Sequence, residues 1–593
     1  MNTPAYTLIT TAEGLRTAMD ELSRLPAIGF DTETTDLDPY RGRLRLLQLS
    51  APDGVRIVDL NCFAGADPKQ SEELRPLREL LAAPRPVKIA HNAKFDAKWT
   101  RHTLGVELGC LFDTLLASQL ISAGDQEDRH GLDAVVSRYL GETVDKAERL
   151  SDWSGELSES QLQYAAIDAA VLVPLREKQI ERLKAEDLMR CARLEFECVL
   201  PLAVLELNGI YLDQHRWREQ LVVVEKRRAE LAEELQEMLA EESAQGSLFG
   251  PQRVDINIDS HVQLTRALTR LGVPVPDSTR NWKLQPLAAN YPVVATLLEY
   301  RTVQKALTSY GENILNEIKP QTGRIHADFR QIGAPTGRMA CTNPNIQQVP
   351  HAVEYRRCFR APEGRKLIIS DYSQIELRIL ADFTGDRGFI DAFNSGADLH
   401  RVTAAQVFGV KLEDVTGEQR SFAKRLNFGV VYGIGAQRFA TMTGLSQTEA
   451  EDILRRYFAT YRQLDNWLRS AAQQAVRERT APRTVAGRLA RFRFDSEDRQ
   501  AVSLVQRNGK NSPIQGSSAD ILKRSLRLLH DQLRDTTACL VNIVHDEIVV
   551  EADAAEAAEI ARKVEEAMCA AGEEYVKSVP VKVETEVSDE WVK

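Results

Sequence analysis

The segment KLIISDYSQIELRILA, Lys366 to Ala381, reads as a buried strand that ends on an acid, Asp371, and runs on from Tyr372 as an amphipathic helical pattern to Ala381. Far along the chain, Leu540 to Val544 and Ile548 to Val550 are two apolar runs separated by His545-Asp546-Glu547, a β-hairpin signal with acids at its tip. If these strands share one sheet, Asp371 and Asp546 meet there and can hold a pair of Mg²⁺ ions. Either acid alone reads as readily as a solvated residue at a strand end.

Between these segments, Arg420, Lys424, Phe428 and Tyr432 recur every fourth residue. On an α-helix each such step turns about 400°, so the four form one slowly drifting stripe, cationic at one end and aromatic at the other. Cations can hold a triphosphate, and aromatic rings can stack on a base. A helix with basic surface residues and a core aromatic edge gives the same pattern. Gly429 and Gly433 flank the aromatics, and their expected role is to let a planar ligand approach.

The rest of the composition is that of a globular chain. It has 593 residues, 43% hydrophobic and 27% charged, enough for about three to five domains. The 75 Lys+Arg against 86 Asp+Glu give a formal net charge of −11. Nucleic-acid binding must therefore rest on a local basic face rather than on total charge. The 8 Cys show no C-x-x-C pair, which argues against a disulfide framework or a zinc module and points to a reducing compartment. The first residues lack the pattern of a secretory signal, and no apolar run is long enough to span a bilayer.

In the first third, Ala27 to Phe30, Arg45 to Leu49 and Val55 to Leu60 look like consecutive strands. Asp31 and Glu33 follow the first of them and, two residues apart on a strand, face one way. Asp96 closes the run His91-Asn92-Ala93-Lys94-Phe95-Asp96, and Tyr164 lies one helical turn from Asp168. Carboxylates converging without His or Cys suit hard divalent cations, two of which can promote phosphodiester cleavage. Beyond them, Trp217 to Glu242 predicts a long charged helix that stops at the small and polar stretch Ser243 to Pro251. A second helix, around Val293 to Ile318, is expected to pack against the first as a helical hairpin.

The ordered acids of the first 190 residues resemble the DEDD-type 3′-to-5′ exonucleases, in the variant with a tyrosine in the last motif. The resemblance implies that Asp31, Glu33, Asp96 and Asp168 hold two metal ions and that Tyr164 orients the attacking water. The segments Asp371 to Arg378, Arg420 to Gly433 and Val544 to Glu547 resemble motifs A, B and C of the family-A DNA polymerases, of the bacterial type. Thr336-Gly337-Arg338, Asn343 to Gln347 and Arg507-x-x-x-Asn511-x-Pro513-x-Gln515-Gly516 add to the match, which covers nearly the whole chain. The 5′-nuclease domain of longer members is not expected, since the exonuclease motif begins at Asp31.

By this resemblance Asp371 and Asp546 hold two Mg²⁺ ions, with Mn²⁺ able to substitute, and Glu547 supports them. Arg420, Lys424 and His400 touch the triphosphate, Lys424 as proton donor to the leaving pyrophosphate. Phe428 and Tyr432 flank the incoming base and sugar, and Glu376 excludes a 2′-hydroxyl. Arg338, Asn511, Gln515 and His545 contact the primer–template. The fold class implied is α+β and multidomain, a ribonuclease-H-like mixed sheet followed by a right-hand polymerase. The expected division is exonuclease 1–190, helical thumb 191–325, palm 326–395 and 500–593, and fingers 396–499. The expected partners are primer–template DNA and dNTPs, in a cytoplasm, with a bacterial or phage origin and an organellar source as the alternative. Three other readings compete. A single-subunit RNA polymerase shares the metal acids but is disfavoured by Glu376 and the linked exonuclease. A silent DNA clamp is disfavoured by two intact acid sets. A nuclease whose second half only holds DNA would fail to extend a primer.

Overall fold

The N-terminal part wraps helices around a six-stranded mixed sheet. The computed structural model describes residues 4–592 except 64, 66, 126–127, 145–147, 149–150, 243–252, 276–277 and 351–352. Strands β1 (Tyr6–Ile9), β2 (Ala27–Thr34), β3 (Leu44–Ala51), β4 (Gly54–Asp59), β5 (Val87–Ala90) and β6 (Leu111–Asp113) lie in the order β1-β4-β3-β2-β5-β6. The three strands legible in the sequence are β2, β3 and β4. β3 runs antiparallel to β2 and β4, while β1 is parallel to β4, and β5 to both β2 and β6. Helix α1 (Ala93–Leu104) follows β5, and α2 (Glu159–Ala170) crosses the sheet. Gly29 makes that crossing possible: a Cβ there would lie 2.5 Å from the carbonyl oxygen of Ala169 and 2.2 Å from Ser50 Oγ. The absent side chain lets α2 press its Asp168 end against β2.

Helix α3 (Met189–Asn208) leads out of this domain into a helical hairpin of α4 (Gln214–Leu239) and α5 (Pro292–Tyr310). The two long helices pack on each other as expected, but the second is shorter than its periodicity suggests. It gives way to a 3₁₀ segment, Glu312–Glu317, because Ile318 and Lys319 pair as a strand with Ile325 and Arg324. Sheet pairing overrides helical pattern there. The stretch Ser243 to Pro251 lies outside the described residues. The far end of the hairpin has its own apolar cluster, with Leu231, Leu235, Leu264, Leu284, Val294 and Leu297 fully buried.

The C-terminal half is built on a four-stranded antiparallel sheet. Strands β7 (Arg365–Tyr372), β8 (Cys539–Val544), β9 (Glu547–Asp553) and β10 (Val583–Ser588) lie in the order β8-β9-β7-β10. Leu367, Ile368 and Ile369 of β7 are 0% exposed, because the strand is central and both faces are covered. After β7 the helical pattern starts later than the sequence suggested. Gln374 takes the left-handed conformation, φ 57°, and α6 runs Ile375–Thr384. Helices α7 (Leu399–Phe408), α8 (Gly417–Val431) and α9 (Arg462–Arg477) lie between α6 and the 35-residue α10 (Arg499–Leu533), and α11 (Ala557–Glu573) packs on α10 and on β7. Helix α3 joins the halves, touching α1, α10 and β8. All eight cysteines are free thiols. No helix among the described residues is long and apolar enough to cross a membrane.

The hairpin's separate apolar cluster predicts separable stability. Leu297→Ala should cost about 2–5 kcal/mol. Calorimetry should show an early transition moving down in temperature while the main transition stays in place. A single transition shifted as a whole would mean that the hairpin end unfolds with the rest.

Candidate active sites

In the N-terminal domain, Asp31 and Glu33 on β2, Asp96 on α1 and Tyr164 and Asp168 on α2 line one cavity of about 930 Å³. The sequence assigned these five residues from three separated motifs, and the fold brings them together. Each is placed by a local device. Asn92, at φ 66°, turns the chain from β5 into α1. Asp113 holds that turn by accepting the backbone N–H groups of Asn92 and Ala93 at 3.2 and 2.8 Å, and it caps the following helix through Leu115 and Leu116 at 2.8 and 3.1 Å. Thr32 donates its hydroxyl to Asp96 at 2.6 Å.

The electrostatics are those of like charges held together out of water. Burial, then the carboxylates of Asp96, Glu33 and Asp168, hold Asp31 well above the usual carboxylate range. Burial with Asp168 and Asp96 does the same to Glu33. Burial pushes Asp96 up to about 8, with Asp113 adding to it, and raises Asp113 to about 6. Burial and the neighbouring Asp168 raise Tyr164, keeping it a phenol. Carboxylate oxygens under mutual repulsion are a donor set that fits hard divalent cations. Sequence reasoning missed Thr32 and Asp113. It also missed that Asp328 to Ile332, from the C-terminal half, form one wall of this cavity. Lys94 on α1 fastens that wall, donating to Asp328 at 2.9 Å and to the carbonyl of Phe329 at 2.5 Å.

The second site sits at the end of the β7–β10 sheet. The register sets Asp371 opposite Glu547 on one side and Glu584 on the other, and Tyr372 N donates to the Asp546 carbonyl at 3.4 Å. A cavity of about 610 Å³ is lined by Asp371, Asp546, His545, Glu376, Arg338, His400, Arg420, Lys424, Phe428 and Tyr432. The sequence-predicted stripe on α8 therefore faces the sequence-predicted acids. Burial and the neighbouring Asp371 push Asp546 up to about 7. Arg420 bonds Asp398 at 2.5 Å, while Lys424 has no carboxylate partner among the described residues. Burial, with Arg420 and Lys424 nearby, pushes His400 down to about 4. The ring is thus neutral at pH 7, and Asn427 Nδ2 donates to its Nδ1 at 3.0 Å. The proton then sits on Nε2 as a donor.

Two expectations need correction. Glu547 is not at the hairpin tip: it opens β9, 6% exposed, outside the cavity lining, and accepts from the Trp591 indole at 2.8 Å. Only His545 and Asp546 form the loop, and His545 takes φ 57°. Asn511 and Gln515, expected at the primer–template, line an adjoining cleft with Thr336, and Asn511 reaches the Tyr432 carbonyl at 3.4 Å. The glycines do not open a ligand face. Gly429 is buried against Ile434, and Gly433, at φ 67°, lies past the helix end, where a left-handed glycine terminates it. Glu376 is more constrained than expected, accepting from Arg338 and from Tyr432 OH at 3.0 Å. Glu584 was missed, although the alternation Val583-Glu584-Thr585-Glu586-Val587 carries a strand signal.

A four-stranded antiparallel sheet with paired acids at one end, faced by a basic and aromatic helix and joined to a nuclease-like acid cluster, defines a two-site enzyme of nucleic-acid synthesis and hydrolysis. The model of DNA polymerase family A matches residues 223–593, and that of a 3′-5′ exonuclease matches residues 6–184. The chain belongs to the family-A DNA polymerases and is a DNA-directed DNA polymerase with a 3′-5′ exonuclease domain. It is 32% identical to DNA polymerase I of Aquifex aeolicus, with 99% of this chain and 100% of that one covered. It is 31% identical to DNA polymerase I of Pseudomonas aeruginosa, of which it spans 66% of the length. Among solved structures it is similar to the POL domain of Pol1 from M. smegmatis in complex with DNA primer-template and dNTP, with a TM-score of 0.85, 27% identity and 99% of each chain covered. Both domains belong to metal-dependent families.

The raised carboxylates give a pH prediction with a definite sign. An acid whose folded pKa lies above its unfolded value keeps its proton more readily when folded. Its contribution to stability is therefore whole at low pH and is lost as pH rises from about 4 through the folded value, about 8 for Asp96. In chelator, Asp96→Asn should flatten that fall and raise the melting temperature at pH 8 by about 2–4 °C for each kcal/mol relieved. It should also blunt the stabilisation that divalent cations give the wild type. A lower melting temperature in chelator would show that Asp96 is compensated within the protein.

Proposed function

We propose that the chain extends a DNA primer at the Asp371–Asp546 site and removes mismatched 3′ ends at the Asp31–Glu33–Asp96–Asp168 site. The observation that carries this reading is the single cavity in which Asp371 and Asp546 face Lys424, Phe428 and Tyr432. These carboxylates would hold two divalent cations in each site, Mg²⁺ with Mn²⁺ as a substitute, which would supply Lewis acidity for phosphoryl transfer and phosphodiester cleavage. Lys424 and Arg420 grip the triphosphate, and Lys424 gives a proton to the leaving pyrophosphate. Neutral His400 adds its Nε2–H to the phosphates. Phe428 and Tyr432 flank the base and sugar, while Arg338, Asn511, Gln515 and His545 contact the primer–template. Glu547, bonded to Trp591, steadies β9 beside the acids. In the other site the Tyr164 phenol orients the attacking water.

The partners are primer–template DNA and dNTPs, the ligands named for the M. smegmatis complex. We divide the chain into an exonuclease domain over 1–190, a thumb over 191–325, a palm over 326–395 and 500–593, and fingers over 396–499. We place the protein in the cytoplasm.

Two substitutions test the nucleotide pocket. Glu376→Ala should lower the dNTP-to-NTP ratio of kcat/KM by about 10–100-fold, because space for a 2′-hydroxyl opens. Glu376→Gln keeps the bulk and should keep most of the selection. An unchanged ratio for alanine places sugar selection elsewhere.

Phe428→Tyr should raise dideoxynucleotide use by one to two orders of magnitude. The added hydroxyl can replace the substrate's missing 3′-hydroxyl with a charge-assisted bond of about 1.5–3 kcal/mol. Normal synthesis should change little. Lower stability with unchanged terminator use would mark Phe428 as a core residue only.

A further inference from the structure

Between the two sites lie four charged side chains that neither reading uses. Glu195 on α3 and Asp520 and Lys523 on α10 are 0% exposed, and Arg488, in the loop before α10, is 5% exposed. Arg488 bonds Glu195 and reaches Asp520 at 2.7 Å, and Lys523 reaches Glu195 at 2.6 Å. Two acids and two cations balance. Glu195, Asp520 and Cys191 lie close enough to hold a cation, but the guanidinium and the ammonium already neutralise both acids.

Asp520 also accepts from the Thr484 hydroxyl, and two more contacts tie the quartet to one strap of chain. Gln331 donates to the Glu195 carbonyl at 2.7 Å and to its carboxylate. Lys523 donates to the Gly337 carbonyl at 2.8 Å. The strap doubles back on itself, with Gly333 N donating to the Arg338 carbonyl at 3.0 Å and Gly337 N to Ala334 at 2.8 Å. It sits hard on the quartet: a Cβ on Gly337, at φ 88°, would lie 2.5 Å from Arg488 Nε. One end of the strap, Gln331, lines the exonuclease cavity, and Arg338 at the other reaches Glu376 in the polymerase cavity.

We propose that Glu195 and Lys523 are positioning residues for synthesis: by anchoring the 331–338 strap at Gln331 and Gly337 they hold Arg338 in place to meet the primer–template. This rests on the reading of Arg338 as a DNA contact. Buried ion pairs contribute little net stability against apolar replacements of the same shape, whereas a backbone tether fixes geometry.

The test is a double-mutant cycle on primer extension, in a background of Asp31→Ala with Glu33→Ala so that ends are not removed. Glu195→Gln with Lys523→Met keeps the charge balanced, since Arg488 and Asp520 remain paired, and deletes the donor to Gly337. It should lower kcat/KM about tenfold where Arg338 is present, the scale of one lost hydrogen bond. It should lower it by less than about twofold on top of Arg338→Ala. Glu195→Gln with Lys523→Gln keeps an N–H donor and should recover most of the loss. Equal losses with and without Arg338, or no loss in a folded protein, would overturn the proposal. No effect of Arg338→Ala alone would instead overturn the reading of Arg338 as a DNA contact, and the proposal with it. If the methionine variant does not fold, Gly337→Ala, which displaces the strap without removing a charge, takes its place in the cycle with the same two expectations.

Discussion

Carboxylates buried beside one another repel, and in this protein that repulsion is built in twice. Asp31, Glu33 and Asp96 are all held protonated-prone by burial and by their neighbours, and Asp546 is so held by burial and Asp371. Burial without a compensating cation costs folding free energy, so these clusters persist because the surrounding fold over-determines them. On the proposed reading that cost is what gives divalent cations their place: the folded chain presents oxygen donors already gathered and already desolvated. By contrast, the Glu195–Arg488–Asp520–Lys523 quartet shows how the same chain buries acids where no ion is wanted, with a side-chain cation for each.

The gathering is done by backbone. At three of the turns that carry acids a non-glycine residue takes a positive φ: Asn92 before Asp96, Gln374 after Asp371 and His545 before Asp546. Such residues cost about 1–2 kcal/mol each and mark places where geometry outweighs local comfort. Pairing does the rest. β7 lies between β9 and β10, so Asp371 has an acid opposite it on both sides, and Gly29 lets α2 carry Asp168 down onto β2.

Much of this was legible in the sequence because acids on strands and cations on a helix leave periodic marks. Asp31 with Glu33, Tyr164 with Asp168, and the Arg420-to-Tyr432 stripe each follow the repeat of their element. What was not legible came from tertiary contact. Nothing local to Gln331 shows that its loop walls the exonuclease cavity, and nothing in Glu547 shows that Trp591, 44 residues later, draws it away from the cavity. The glycines misled for a related reason. Gly433 ends a helix and Gly429 packs a core, and only the structure distinguishes those duties from access for a ligand. The shortened α5 has the same origin, since a strand partner decides where the helix stops.

The central claim is that the chain has two independent acid sites, one for synthesis and one for removal. It is tested most directly on a primer–template with either a matched or a mismatched 3′ end, using Asp371→Ala and, separately, Asp31→Ala with Glu33→Ala. The first variant should add no nucleotide yet still shorten the mismatched primer, while the second should extend the matched primer and leave the mismatch in place. Loss of both activities from either change, in protein shown to be folded, would contradict it.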